Sequence, residues 1–221
     1  MRSAPLLRRF TVRIGTWNLA GRWSEHHQEL LTQQACDLWL LTEVNERSTL
    51  PGYVLHATAA TMAPKRRWAG VLSRIPFVAV PDPHPASAAI AVGQMTYCAS
   101  VLPWRSCADS SPWVGERHAD RTAAALSELD SALPSRPLVW GGDWNHALSG
   151  REWAGSKGGR DALMELLERR QLQVPTALLP HRIDGLLAID HIAVGRDVNV
   201  GSMARFDAAG LSDHDGYTVE L

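Results

Sequence analysis

Two carboxylate-histidine pairs, Asp190-His191 and Asp213-His214, bracket the last part of the chain; the first opens an apolar run and the second precedes the final one, Tyr217 to Leu221. An aspartate beside a histidine at a strand end can serve a cation or a phosphate at neutral pH, because imidazole takes and gives its proton near 7. Buried without partners, such groups would cost several kcal/mol. Ser212, Asp213, Asp215 and Gly216 are also ordinary turn residues, so the second pair alone fits a plain strand-to-turn boundary. The rest of the chain separates the two meanings.

Three further apolar runs end in polar groups of the same kind. Thr16-Trp17-Asn18 closes the first run with an amide, and Glu43 follows Leu38 to Leu41. Trp140-Gly141-Gly142-Asp143-Trp144-Asn145 ends in a carboxylate and an amide two residues apart, which share one side of an extended chain. Ligand sites in layered α/β proteins gather at strand ends, so these groups are expected to converge. Carboxylate and amide oxygens suit a hard cation such as Mg²⁺ or Mn²⁺, whereas zinc favours more histidine and cysteine. Such a cation can neutralise a phosphate and activate water or stabilise a leaving oxygen.

The elements that must position these groups follow from periodicity. Val12–Leu19, Leu38–Val44, Ala69–Ser73, Phe77–Val80, Gln94–Leu102, Leu138–Gly141, Ile189–Val194 and Tyr217–Leu221 are short runs rich in Val, Ile, Leu and Trp and are expected as strands. Arg117–Leu133 is expected as a helix, with Ala119, Ala123, Leu126, Leu129 and Leu133 on one face and Pro134 ending it. Gly159–Leu172 and Glu25–Ala35 are expected as two more. Two strand-helix-strand passages result, with hairpin-like material between Tyr53 and Val80. The mixture predicts layered α/β architecture. Pro81–Ser87 and Ser149–Gly159 are expected as loops inside one domain, residues 11–221, behind a leader of residues 1–10.

Composition narrows the classes. The 221 residues are 45% hydrophobic and 20% charged, which suits a folded globular domain and argues against disorder. The formal net charge of -1 gives no overall basic field to hold nucleic acid non-specifically, so any phosphate recognition must be local. Cys36, Cys98 and Cys107 match no common zinc spacing and are expected to be reduced and structural. No stretch is long and apolar enough for a signal peptide or a membrane helix, which leads to the expectation of a cytoplasmic protein. Most of the nine tryptophans are expected in the core.

Thr16-Trp17-Asn18, Thr42-Glu43-Val44, Gly141-Gly142-Asp143-Trp144-Asn145, Ile189-Asp190-His191-Ile192 and Ser212-Asp213-His214-Asp215-Gly216, in that order, resemble the motifs of the endonuclease/exonuclease/phosphatase family, which includes DNase I. The resemblance runs from Ile14 to Leu221. It implies a four-layer α/β sandwich, two facing mixed sheets flanked by helices, and a phosphoesterase that depends on Mg²⁺ or Mn²⁺. It further implies Glu43 as principal metal ligand with Asn18 beside it and Asp213 as a second acidic ligand. By the same resemblance Asp143 and Asn145 position the attacking water and a phosphate oxygen, His214 contacts the scissile phosphate, and Asp190 orients and charges His214. Whether Asp143 or His214 takes the water's proton is open in the sequence; a His214 held as imidazolium by Asp190 favours Asp143.

One stretch departs from the family pattern. Where a His or Tyr precedes the central helix, this chain has Ala99-Ser100-Val101-Leu102-Pro103-Trp104-Arg105. Arg105, equally consistent with a solvated loop cation, could stabilise the developing charge there, or a metal-bound water could supply the proton; His118 could contact the phosphate if the start of its helix faces the site, but is expected as a surface polar residue. The basic run Lys65-Arg66-Arg67-Trp68 is expected as a solvated turn rather than a strand-steering patch, and His26 and His27 as solvent-facing. His191 is expected as a satisfied core histidine. The function expected is hydrolysis of a phosphodiester, DNA and RNA being the candidate partners, by a nuclease that is favoured to be a monomer. A phosphomonoesterase and a non-catalytic binding module on the same fold are the alternatives.

Overall fold

The computed structural model describes residues 11–108, 111–135 and 137–221; the expected leader lies outside them. Among the described residues thirteen strands and three α-helices follow one another: β1 Arg13–Asn18, α1 Glu25–Gln34, β2 Leu38–Asn45, β3 Val54–Ala57, β4 Thr61–Ala63, β5 Arg66–Ser73, β6 Val78–Ala79, β7 Ser87–Val92, β8 Met95–Ser100, α2 His118–Ala132, β9 Leu138–Asp143, α3 Lys157–Arg169, β10 Leu172–Gln173, β11 Asp190–Gly195, β12 Met203–Phe206 and β13 Gly216–Glu220. A 3-10 turn at Pro175–Leu178 precedes β11.

The strands form two mixed sheets. The first runs β12-β13-β1-β2-β5-β3, with β4 also on β5, and the second runs β10-β11-β9-β8-β7-β6. Both strand-helix-strand passages close as parallel pairs, β1 with β2 and β8 with β9, as crossover connections require. Period-two alternation then sets the layers. In β2, Leu38 and Leu40 face the second sheet's Ile90, Tyr97, Val139 and Ile192. Trp39 and Leu41 turn the other way and pack with Trp17 and Leu31 of α1. In the second sheet Leu138 and Trp140 turn outward onto Leu126 and Leu129 of α2 and Leu163 and Leu166 of α3. Helix, sheet, sheet and helix pair therefore stack as the expected four-layer α/β sandwich.

Helix limits follow local chemistry. The Ser156 hydroxyl accepts a hydrogen bond from the Gly159 amide at 3.2 Å and starts α3 two residues earlier than periodicity suggested. In α2 the Asp120 carboxylate caps the Arg117 amide at 3.2 Å. Its buried face is Thr122, Ala125, Leu126 and Leu129; Ala123, expected on that face, is exposed. β7 was not expected as a strand. Ser87-Ala88-Ala89-Ile90-Ala91-Val92 has little intrinsic strand preference, and its antiparallel ladder to β8 is imposed by packing between layers. The segment expected as a solvated turn at residues 65–68 is instead the start of β5, from Arg66 on, paired to β2. His27 is buried rather than solvent-facing; its ring stacks on Trp17 with centroids 5.4 Å apart.

Candidate active site

The polar strand ends meet at one edge of the sandwich. In the first sheet Asn18 ends β1 beside Thr42 of β2, and Glu43 is the next residue. In the second sheet Asp143 and Asp190 are direct partners across the antiparallel β9/β11 pair. Like charges in that relation repel. The His214 ring relieves the repulsion, with Nδ1 2.7 Å from Asp190 Oδ2 and Nε2 3.8 Å from Asp143 Oδ2. One side-chain atom from each of these three residues lies within 4.8 Å of the other two. The Asn18 side chain crosses between the sheets, donating from Nδ2 to Asp143 Oδ2 at 2.9 Å and to Glu43 Oε1 at 3.2 Å.

Backbone conformation aims these groups. Glu43 and Asn145 both hold left-handed conformations, φ 48° and 53°, which cost side-chain-bearing residues about 1–3 kcal/mol each and collect at functional sites. Gly142 precedes Asp143 at φ 120°, and a Cβ there would lie 2.2 Å from the Ser100 carbonyl oxygen, so only glycine lets β9 deliver its carboxylate so close to β8. The Asp143 Oδ1 atom accepts from the Asn145 amide at 3.0 Å, and the Asn145 side chain donates to the Leu102 carbonyl at 3.0 Å. The loop carrying His214 is tied to β1 by two bonds. The Ser212 hydroxyl donates to the Asn18 carbonyl at 2.7 Å, and the Trp17 indole donates to the His214 carbonyl at 2.9 Å.

Burial sets the protonation states. Asp143 is buried, and desolvation together with the Asp190 charge pushes its carboxyl up to about 7. Burial works against a charged His214, yet the Asp190 and Asp143 carboxylates outweigh it and push the imidazole up to about 10. Burial also raises Glu43, against the Asn18 hydrogen bond and the Arg66 charge. Arg66, from the run expected as a solvated turn, places Nη1 2.7 Å from Glu43 Oε2 and is the cation the sequence reading missed. Glu43, Asp143, Asn145 and His214 line a cavity of about 220 Å³ together with Met62, Val101 and Trp104.

Not every expected residue is in that group. Asp213 is exposed beside the cavity, its Oδ1 3.4 Å from the Ser212 hydroxyl. The Asn18 side-chain oxygen accepts from the Ala20 amide at 2.8 Å, so the face it turns to the carboxylates is a donor. Arg105 is exposed and donates from Nε to the Gly155 carbonyl at 2.8 Å, and His118 places its ring nitrogens 2.8 Å from Ser156 Oγ and 2.9 Å from the Pro103 carbonyl. Neither lines the cavity; both brace the loop before α3. His191 is buried against Thr176 Oγ and the His146 carbonyl, a satisfied core histidine.

The oxygen-rich donor set suits a hard divalent cation. Glu43, Asp143, Asp190 and Asp213 set four carboxylates against the His214 and Arg66 cations, and the buried Oδ1 of Asp190 has no hydrogen-bond partner. A divalent cation would offset that surplus of negative charge. Among the described residues no helix is long and apolar enough to cross a membrane.

The fold recurs in solved structures. The endonuclease domain of TRAS1, a telomere-specific non-LTR retrotransposon, superposes with a TM-score of 0.71 at 13% identity, over 96% of this chain and 98% of that one. The AP endonuclease LMAP from Leishmania major gives 0.68 at 13% identity, covering 99% and 92%. The Xenopus laevis APE2 catalytic domain gives 0.63 at 12% identity, covering 94% and 91%. At such identities the likeness shows the shared fold. No curated protein matches the sequence. The family model described as Endonuclease/Exonuclease/phosphatase family matches residues 15–214, and with that span the chain belongs to the endonuclease/exonuclease/phosphatase family.

Proposed function

We propose that the protein is a divalent-metal-dependent phosphodiesterase that acts as a nuclease, with Mg²⁺ or Mn²⁺ as its cation and the cytoplasm as its location. The observation that carries this reading is the convergence of Glu43, Asp143, Asp190 and His214 from both sheets on one edge, with an imidazole between two buried carboxylates. In it, Glu43 and Asp213 hold the cation and Asn18 fixes the Glu43 carboxylate. A cation held there supplies charge neutralisation at the phosphate. Asp143 is the base: a carboxyl raised to about 7 is well matched to taking a proton near neutrality. His214, kept as imidazolium by Asp190, turns Nε2–H to a phosphate oxygen and stabilises the charge that develops there. Asn145 positions the phosphate beside the attacking water.

The step balances without covalent chemistry from the protein. A bond forms from the water oxygen to phosphorus, the ester P–O bond breaks, Asp143 takes the water's proton, and the leaving oxygen collects a proton from solvent. That last assignment is supported by the cavity lining, where Val101 and Trp104 stand on the stretch that holds His or Tyr in the family pattern. The test is a screen of plasmid DNA, duplex DNA with an abasic site, RNA and soluble phosphomonoesters in Mg²⁺. Cleavage of a polynucleotide is expected; turnover of monoesters alone would replace the nuclease with a phosphatase.

Arg66 gives a second test. Its guanidinium occupies one Glu43 oxygen and opposes a nearby dication. R66A is therefore expected to tighten Mn²⁺ binding by roughly 1.5-fold to fivefold in a calorimetric titration, the range for a partly exposed charge pair. Weaker binding would show that Arg66 serves to hold Glu43 in place.

A further inference from the structure

The cavity has two unlike walls. One is Glu43, Asp143, Asn145 and His214; the other is Met62, Val101 and Trp104. An apolar wall gains nothing from a phosphate, whose oxygens lose hydration against it without a compensating hydrogen bond. It gains from an apolar group carried on the phosphate.

That wall is built rather than incidental. Met62 comes from β4 of the first sheet, while Val101 and Trp104 follow β8 of the second, so the apolar side bridges both sheets as the carboxylates do. Trp104 stands edge-on to Trp113, centroids 6.4 Å apart at 88°. Trp113 is buried, meets Trp68 at 5.3 Å and 76°, and stacks on His84 at 5.5 Å and 18°. Met62 and Trp104 are the partly buried edge of this cluster. The next residue, Arg105, is anchored by its amide to the Ala154 carbonyl at 2.8 Å, so the Trp104 backbone is held as well as its ring. An indole with a thioether beside it is a surface for a flat ring, through stacking and sulfur contact.

We infer that Trp104, Met62 and Val101 form a specificity subsite for a planar aromatic group, a nucleobase or an aryl ring, carried on the phosphoester. The inference rests on the phosphodiesterase reading for the position of the phosphate. In Mg²⁺-loaded full-length D143N protein, which lacks the base and so holds its ligand without turnover, calorimetry compares three probes: the methyl, phenyl and thymidine-5′ monoesters of methylphosphonate. The phenyl and thymidine esters are expected to bind about tenfold more tightly than the methyl ester, as for one stacked ring. W104A should bring that ratio below about threefold, M62A should lower it less, and W104F should keep most of it. A thymidine ester well above the phenyl ester identifies a nucleobase, and parity identifies an aryl ring; both support the subsite. Equal binding of all three esters, no binding of any, or an undiminished ratio in W104A overturns it. Cleavage of diesters with equal probe binding would remove the subsite and leave the phosphodiesterase. Ring preference without cleavage would do the reverse.

Discussion

D143N is expected to lower turnover of a phosphodiester by about 10³-fold or more, while Mn²⁺ still binds and the melting temperature holds or rises. The size follows from position. Asp143 is buried, receives the Asn18 amide on Oδ2 and the Asn145 amide on Oδ1, and has His214 3.8 Å away. An amide of the same shape cannot accept the water's proton, yet it keeps the volume of the side chain. The amide nitrogen meets the Asn18 or the Asn145 donor and forfeits one hydrogen bond, a loss offset by removing one of two like charges that face each other across β9 and β11. Steady-state kinetics beside a Mn²⁺ titration checks both halves. Unchanged turnover would remove Asp143 as base, and lost metal binding would make it a ligand instead.

D190N is expected to cost about 10²- to 10³-fold in kcat and to change the shape of the pH profile. Asp190 Oδ2 lies 2.7 Å from His214 Nδ1, and its charge contributes to holding the imidazole up at about 10. With both carboxylates in place the imidazolium persists from neutral pH to well above it. Once Asp190 is neutral the His214 pKa falls, because burial then opposes the charge with less against it. The sign follows: wild-type activity is carried by the cation below about 10, and the variant loses that cation at lower pH. Residual activity in D190N should therefore decline as pH rises through neutrality, where the wild type does not. A profile of unchanged shape would show that His214 does not act as a cation.

Much of this site is legible in the sequence because the chain repeats one grammar. Asn18, Glu43 and Asp143 each end or follow a short apolar run of the kind that marks a buried strand, and their place there is a local fact. Their convergence needs only two parallel crossover pairs, which the helices between them supply. What the sequence hides is what depends on distant partners. Arg66 reads as a solvated turn until Glu43, 23 residues earlier, is seen to take its charge. Ser87–Val92 hides as a strand because alanine and serine pack into a layer only when β8 lies alongside. His27 looks polar at a helix start, and the Trp17 and Trp23 rings packed against it explain its burial. Arg105 and His118 fail to reach the cavity for a related reason: nearby carbonyls at Gly155 and Pro103 take their donors. Side-chain chemistry is written locally, but the acceptor that captures it is set by tertiary structure.

The central claim, a cation and a phosphate served by these strand ends, is tested most directly by hydrolysis of bis(p-nitrophenyl) phosphate with Mg²⁺, with excess chelator, and after Mg²⁺ is restored. The expected result is release of p-nitrophenolate in the first condition, none in the second and recovery in the third, with D143N silent throughout. Release that persists in chelator, or none from any phosphoester in the presence of the metal, would contradict it.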